Sequence, residues 1–250
     1  MPRATKTSTL DLPSRARIDS AARSVRQQAV TDVRRALVLS AARSAFLELG
    51  LEGASLREIA KRAGYTPGAI YSYFSSKEEV YGALLGESLE RLNAFVGAAE
   101  PAHVPLPSAG SGDAIPAGQA QRALRAKATA FFEFYRESPR DLDLGFYLFH
   151  GMQPRGLTPR LNEQLNARLR DALAPTQQAL IALGLGHDDA QAEVTALFAH
   201  IVGLLLLSHT GRIRMFRQES QALFDRYLDA LIIRTRAQVP HAPESLTTEP

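Results

Sequence analysis

Residues Ser55–Lys77 read SLREIAKRAGYTPGAIYSYFSSK, and this stretch decides the fold. Ser55 followed by Glu58 predicts a capping box that opens a short helix, with Leu56, Ile59, Ala60 and Ala63 on its buried face. Gly64 stops that helix after little more than two turns. Thr66 then caps a third helix with Pro67 at its first position, where a missing N–H costs nothing. That helix is predicted to run through Ala69, Ile70, Tyr71, Tyr73 and Phe74. Ser76 and Glu79 predict another capping box and a fourth helix reaching roughly Ala98. Two short capped helices across a glycine corner make a helix-turn-helix, with Ile59 and Ile70 anchoring the pair on a preceding helix.

Upstream, helical periodicity is firm from about Thr31. Val33, Leu37, Ala41 and Ala45 recur every four residues beside Val38, Ala42, Phe46 and Leu49, and Gly50 is placed as the stop. Residues 13–31 have a thinner apolar stripe and predict a marginal helical extension, ordered against DNA or a partner. Residues 1–12 and 241–250 lack periodicity. Downstream, residues 100–118 hold four prolines and three glycines and predict a long loop. Helices are expected near 119–137, 140–151, 158–184, 188–211 and 219–237, with Pro175 kinking or splitting the third of these. No strand-like alternation is present, so the fold class is all-α. Four parts follow: a basic, partly disordered or marginally helical extension (1–30), a three-helix DNA-binding domain (31–80), a helical effector-binding and dimerisation domain (81–240) and a disordered tail (241–250).

Charge agrees with this division. The net charge of the 250 residues is only +3, but residues 1–80 carry 13 Lys/Arg against 8 Asp/Glu, and the rest carry 16 against 18. The basic excess sits where a polyanion would be met. The absence of cysteine excludes disulfides and thiolate metal sites and fits a reducing cytoplasm. The apolar run 194–207 is too short for a membrane span, and the chain reads as soluble. No nucleophile elbow, phosphate-binding glycine loop or HExxH is present. His200 and His209 lie nine residues apart, without a partner at helical spacing. No enzyme, cofactor or metal is expected.

The segment Ala36–Leu85, with FLELG, SLREIAKRAG and TPGAIYSYFSSKEEV leading into Leu84, resembles the TetR family of bacterial transcriptional regulators. The resemblance is specific over these residues and only architectural beyond them. It implies a homodimer on double-stranded operator DNA, with Thr66, Pro67, Gly68 and Ala69 facing base edges. The Ala69 methyl suits a thymine methyl, and none of the four makes a bidentate bond to a base. Direct readout then leans on Arg57, beside the cap Ser55, or on the extension. Tyr71, Tyr73 and Lys77 are phosphate candidates; Phe74, having no polar group, is read as core. The competing readings are core aromatics for the two tyrosines, a solvated charge for Lys77 and an ion pair with Glu58 for Arg57. Arg15, Arg17, Arg23 and Arg26 are either phosphate or minor-groove contacts or a solvated arm.

The last two helices carry apolar faces (Val194, Leu197, Phe198, Ile201, Leu204, Leu205; Leu223, Phe224, Tyr227, Leu228, Leu231, Ile232) suited to an intermolecular four-helix bundle or to the subunit core. Seven of the eighteen aromatics fall within 131–149. Phe131, Phe134, Tyr135, Phe146, Tyr147 and His150 are either the wall of a pocket for a small hydrophobic or aromatic effector, as the family implies, or plain core. Control by a protein partner instead of a small ligand is the alternative function.

Overall fold

The computed structural model describes residues 15–100, 116–146 and 157–238. These are all-α and divide into two compact units, Met1–Val80 and Tyr81–Pro250.

The N-terminal unit holds α1 (Arg15–Gly53), α2 (Leu56–Ala63) and α3 (Pro67–Tyr71). Extension and first helix form one rod: α1 begins at Arg15, well before Thr31. Gly50 does interrupt it, at φ 70°, and a last turn follows. Val38, Ala42, Ala45 and Phe46 on α1 close over Leu56, Ile59, Ala60, Ile70 and Phe74, which are buried. Gly64 has φ 72°, and Tyr65 N–H donates to the Ala60 carbonyl at 2.9 Å, a Schellman closure. A Cβ at Gly64 would meet no atom, so the left-handed backbone alone asks for glycine there.

In the C-terminal unit, α4 (Lys77–Ala98), which starts in the first unit, is followed by α5 (Ala117–Glu137), α6 (Pro139–Phe146), α7 (Pro159–Ala182), α8 (His187–His209) and α9 (Ser220–Gln238). The described part of the expected 140–151 helix ends at Phe146; residues 147–151 lie outside the described residues. Pro175 neither splits α7 nor ends it. A 3-10 turn, Arg212–Phe216, opens the α8–α9 connection between left-handed Gly211 and Arg217, a feature that periodicity does not mark. α8 is long and apolar enough to cross a bilayer by length and composition, yet Val194, Leu197, Ile201, Leu204 and Leu205 are buried in this unit's core. Where α4 passes α7 it presents Gly82 and Gly86. A Cβ on Gly82 would lie 2.5 Å from Leu161 Cδ2, and one on Gly86 2.6 Å from Arg168 Nη1.

Candidate nucleic-acid interface

The caps form much as the sequence predicts, but each carboxylate has a different partner. Ser55 Oγ accepts from Glu58 N–H at 3.2 Å. The Glu58 carboxylate turns away to Arg62, 2.8 Å off, instead of reaching back to Ser55. At the start of α4, Ser76 Oγ accepts from Glu79 N–H at 3.2 Å, while the Glu79 carboxylate takes the N–H and hydroxyl of Ser75 at 2.7 and 2.8 Å. Thr66 Oγ1 accepts from Ala69 N–H at 3.3 Å and fixes the first turn of α3.

α3 is shorter than expected. It ends at Tyr71, because the Ser72 hydroxyl donates to the Ala69 carbonyl (2.7 Å) and the N–H groups of Tyr73 and Phe74 both converge on the Ile70 carbonyl. Tyr73 therefore lies on the turn after the helix, half-buried. Phe74 is core, 1% exposed, with the Arg35 guanidinium 4.7 Å above its ring.

None of the nine nucleic-acid candidates is buried. Ser55, Arg57, Thr66, Pro67, Gly68 and Tyr71 are exposed, Tyr71 to 57%, and Ala69, Tyr73 and Lys77 are half-buried. Tyr71 thus projects a ring into solvent one turn from the α3 cap, where a plain core aromatic would not sit. Lys77 is the first residue of α4, where the positive end of the dipole favours an anion.

Arg62 organises the pair from behind and does not stand out in the sequence, although the i,i+4 spacing from Glu58 is its signal. It binds Glu58 on α2 and Glu48 on α1, the latter at 2.9 Å, and Ser44 Oγ lies 3.4 Å away. Hydrogen bonding from Arg62, then its charge, holds the Glu48 carboxyl below the usual carboxylate range. A depressed carboxylate contributes stability above its unfolded pKa and loses it as pH falls through the folded one. The stability difference between the natural chain and Arg62→Gln is therefore expected to shrink on acidification through the carboxylate range, and added salt should shrink it too. Urea melts of both proteins at several pH values test this; a difference that grew toward acid would contradict it.

The model for bacterial regulatory proteins of the tetR family matches residues 38–84. The N-terminal domain belongs to the TetR family. Curated relatives match over this TetR-family domain: the HTH-type transcriptional repressor AcnR of Corynebacterium diphtheriae is 40% identical over 60 residues, 24% of this chain and 32% of that protein. The HTH-type transcriptional activator FasR of Mycolicibacterium smegmatis is 41% identical over 61 residues, 24% of this chain and 28% of that protein. The matches thus span about three tenths of these relatives' length. A tetR-family regulatory protein from Rhodococcus RHA1 superposes with TM-score 0.57 at 20% identity, covering 81% of this chain and 96% of that one. PfmR from Thermus thermophilus does so with TM-score 0.54 at 18% identity, covering 82% and 96%. At such identities the likeness concerns the fold: a TetR-family domain followed by an all-helical C-terminal unit. The family is regulatory rather than catalytic.

In the C-terminal unit, four of the six effector candidates are described, and they pack together. Tyr135 meets Phe131, Phe134 and Phe146 at centroid distances of 5.4, 5.2 and 5.6 Å, and Phe198 joins Phe131 and Phe146 at 5.8 and 5.7 Å. Phe131, Phe134 and Tyr135 are buried and Phe146 is half-buried, while Tyr147 and His150 lie outside the described residues. Burial, helped by the nearby Asp141 charge, pushes the Tyr135 phenol well above its ordinary pKa and keeps it neutral. The Tyr81 hydroxyl on α4 donates to the Leu144 carbonyl on α6, and Arg91 on α4 binds Asp141 at 2.6 Å. A separate groove of about 490 Å³ runs between the end of α4 and α5, floored by Phe95, Ala98, Ala126 and Ala130, with Arg125 and Glu133 at its polar edges. Arg125 there pairs with Asp229 on α9. None of the described aromatic effector candidates lines it.

Proposed function

We propose that this chain is a repressor that binds a pseudo-palindromic operator as a homodimer, reads it with α2 and α3, and is released by a small hydrophobic or aromatic ligand. The reading rests above all on the exposed N-terminal turn of α3, capped by Thr66 and bare of bulky groups over Thr66–Ala69, on a rigidly cored pair of helices. Thr66 through Ala69 approach base edges, Arg57 supplies hydrogen-bond readout, Ser55 lies beside it, and Tyr71, Tyr73 and Lys77 hold phosphates. A two-fold site calls for two copies, and the α8 and α9 faces suit a four-helix interface. The chain works in the cytoplasm, where operator DNA is.

The aromatic cluster is the favoured effector wall. Phe146 packs on Tyr135 and Phe198, and two residues before it the Leu144 carbonyl holds Tyr81 of α4. A ligand that displaces Phe146 therefore loosens the helix that continues into the DNA-binding unit. Release requires that the ligand prefer the displaced arrangement; equal affinity for both would shift nothing.

The DNA claim is tested with a duplex that the full-length protein selects from a random pool. Lys77→Ala should weaken all sequences alike and lower the salt slope by about one. Arg57→Ala should also relax preference at one base position, by about 1–3 kcal/mol. If the protein enriches no duplex over random competitor at moderate ionic strength, the reading is wrong.

A further inference from the structure

The 3-10 turn Arg212–Phe216 faces outward almost throughout. Ile213 alone is buried, while Met215 and Phe216 are 76% and 64% exposed, and Arg212, Arg214 and Arg217 are exposed with them. Arg217 holds the end of the turn at φ 51°, a left-handed backbone that favours glycine. None of the three arginine side chains pairs with a carboxylate among the described residues, and Glu219, also exposed, is the sole acid from 211 to 224. Two adjacent apolar side chains among unpaired cations form a contact surface for something that is both acidic and apolar.

That complement stands at the other end of α8. Asp188 and Asp189 in its first turn are exposed, the nearest cation being His187, 3.9 Å from Asp188, and Ile181 at the end of α7 is 39% exposed. Within one subunit α8 keeps the two ends about 35 Å apart, at 1.5 Å per residue. A second copy can join them. The helix face between them is open: Ala192, Ala196 and Ala199 are exposed, a Cβ on Gly203 would meet no atom within 4 Å, and helical spacing puts Asp189 on the same face. Glu193 is the only carboxylate between Asp189 and Arg212, and it is bound to Arg234 at 3.1 Å.

We infer that the 3-10 turn docks on the first turn of α8 in a second copy of this chain, so that the two α8 helices lie antiparallel. The inference rests on the homodimer reading above and adds the direction of pairing and a contact outside the α8 and α9 faces. A two-fold axis crossing α8 near Ala199 makes the contact twice. Arg212 and Arg214 reach Asp188 of the partner subunit and Asp189 of the partner subunit, while Met215 and Phe216 cover Ile181 of the partner subunit. Parallel helices would instead set acids against acids and arginines against arginines.

The test is sedimentation equilibrium of the full-length protein at moderate ionic strength. Reversing the acids (Asp188→Lys, Asp189→Lys) or the bases (Arg212→Glu, Arg214→Glu) should each weaken the dimer by about 10- to 100-fold. Combining all four substitutions should recover most of the natural affinity, which a merely misfolded variant would not do. The chain has no cysteine, so single cysteines report the direction: Ala199→Cys should cross-link to its own copy under mild oxidation, and Asp189→Cys should not. Self-cross-linking of Asp189→Cys, or a combined variant no tighter than either pair, overturns the inference and leaves the homodimer standing. Arginine reversal that spares the dimer but abolishes binding to phosphatidylglycerol vesicles would assign the turn to a lipid surface instead. A natural chain that sediments as a monomer removes both the inference and the homodimer.

Discussion

Phe74→Ala is expected to unfold the N-terminal unit, costing about 3–5 kcal/mol. The ring is 1% exposed in a core whose other large members are few, chiefly Val38, Phe46, Leu56, Ile59 and Ile70. Truncation leaves a cavity that α3, five residues long, has no spare side chain to fill, and strands the Arg35 guanidinium that lies on the ring. Small units have little stability in reserve, so this loss is most of what they possess. Amide hydrogen exchange on the full-length variant should show α1 from Val38 onward, α2 and α3 unprotected, and operator binding should vanish at every salt concentration. Natural protection with a selective loss of DNA affinity would place Phe74 in the interface instead.

Lys127→Met should destabilise the C-terminal unit by about 2–3 kcal/mol although its volume nearly matches. Lys127 is only 4% exposed, and its ammonium donates to the carbonyls of Val96 and Gly97 at 3.0 and 2.9 Å. It therefore ends α4 from a neighbouring helix, serving the Gly97 carbonyl and adding a second donor to the Val96 carbonyl, which also accepts from Ala99 N–H at 3.3 Å, with favourable charge at the negative end of the dipole. Methionine fills the space, removes the ammonium from the Gly97 carbonyl and leaves the carbonyl of the fully buried Val96 only the Ala99 N–H. The expected signs are a melting temperature lower by about 5–10 °C and fast exchange in the last turn of α4. A methionine variant that melts like the natural chain would show that water or local adjustment satisfies the carbonyls.

Lys127 also shows where sequence reading stops. It stands on the Ala120, Leu124, Phe131 stripe of α5, so its burial is legible from spacing, but its partners belong to another helix and no local pattern names them. The helix-turn-helix is legible because its signals are local: Ser55, Gly64, Thr66 and Pro67 each settle a backbone conformation within four residues. Where two local outcomes compete, the same signals mislead. Glu58 has both a free N–H and Arg62 within reach and takes the charge; Ser72 closes α3 early by taking the Ala69 carbonyl. The extension reads as marginal because its outward valines resemble a thin buried stripe, whereas they face solvent along a continuous helix. The aromatic region is visible as composition, but choosing between wall and core depends on contacts from α4, α6 and α8, far apart along the chain.

The glycines at 82 and 86 give α4 a toothless flank. Along that strip Leu161 and Arg168 of α7 fill the space where Cβ atoms would stand, so any larger residue at either position would push the two helices apart. Beyond the buried Leu84, Leu89 and Leu92, α4 is pinned by polar contacts, from Tyr81 and Arg91 to α6 and from Asn93 to the Arg168 carbonyl, so the gap left by the two missing side chains is closed by its neighbours' own reach.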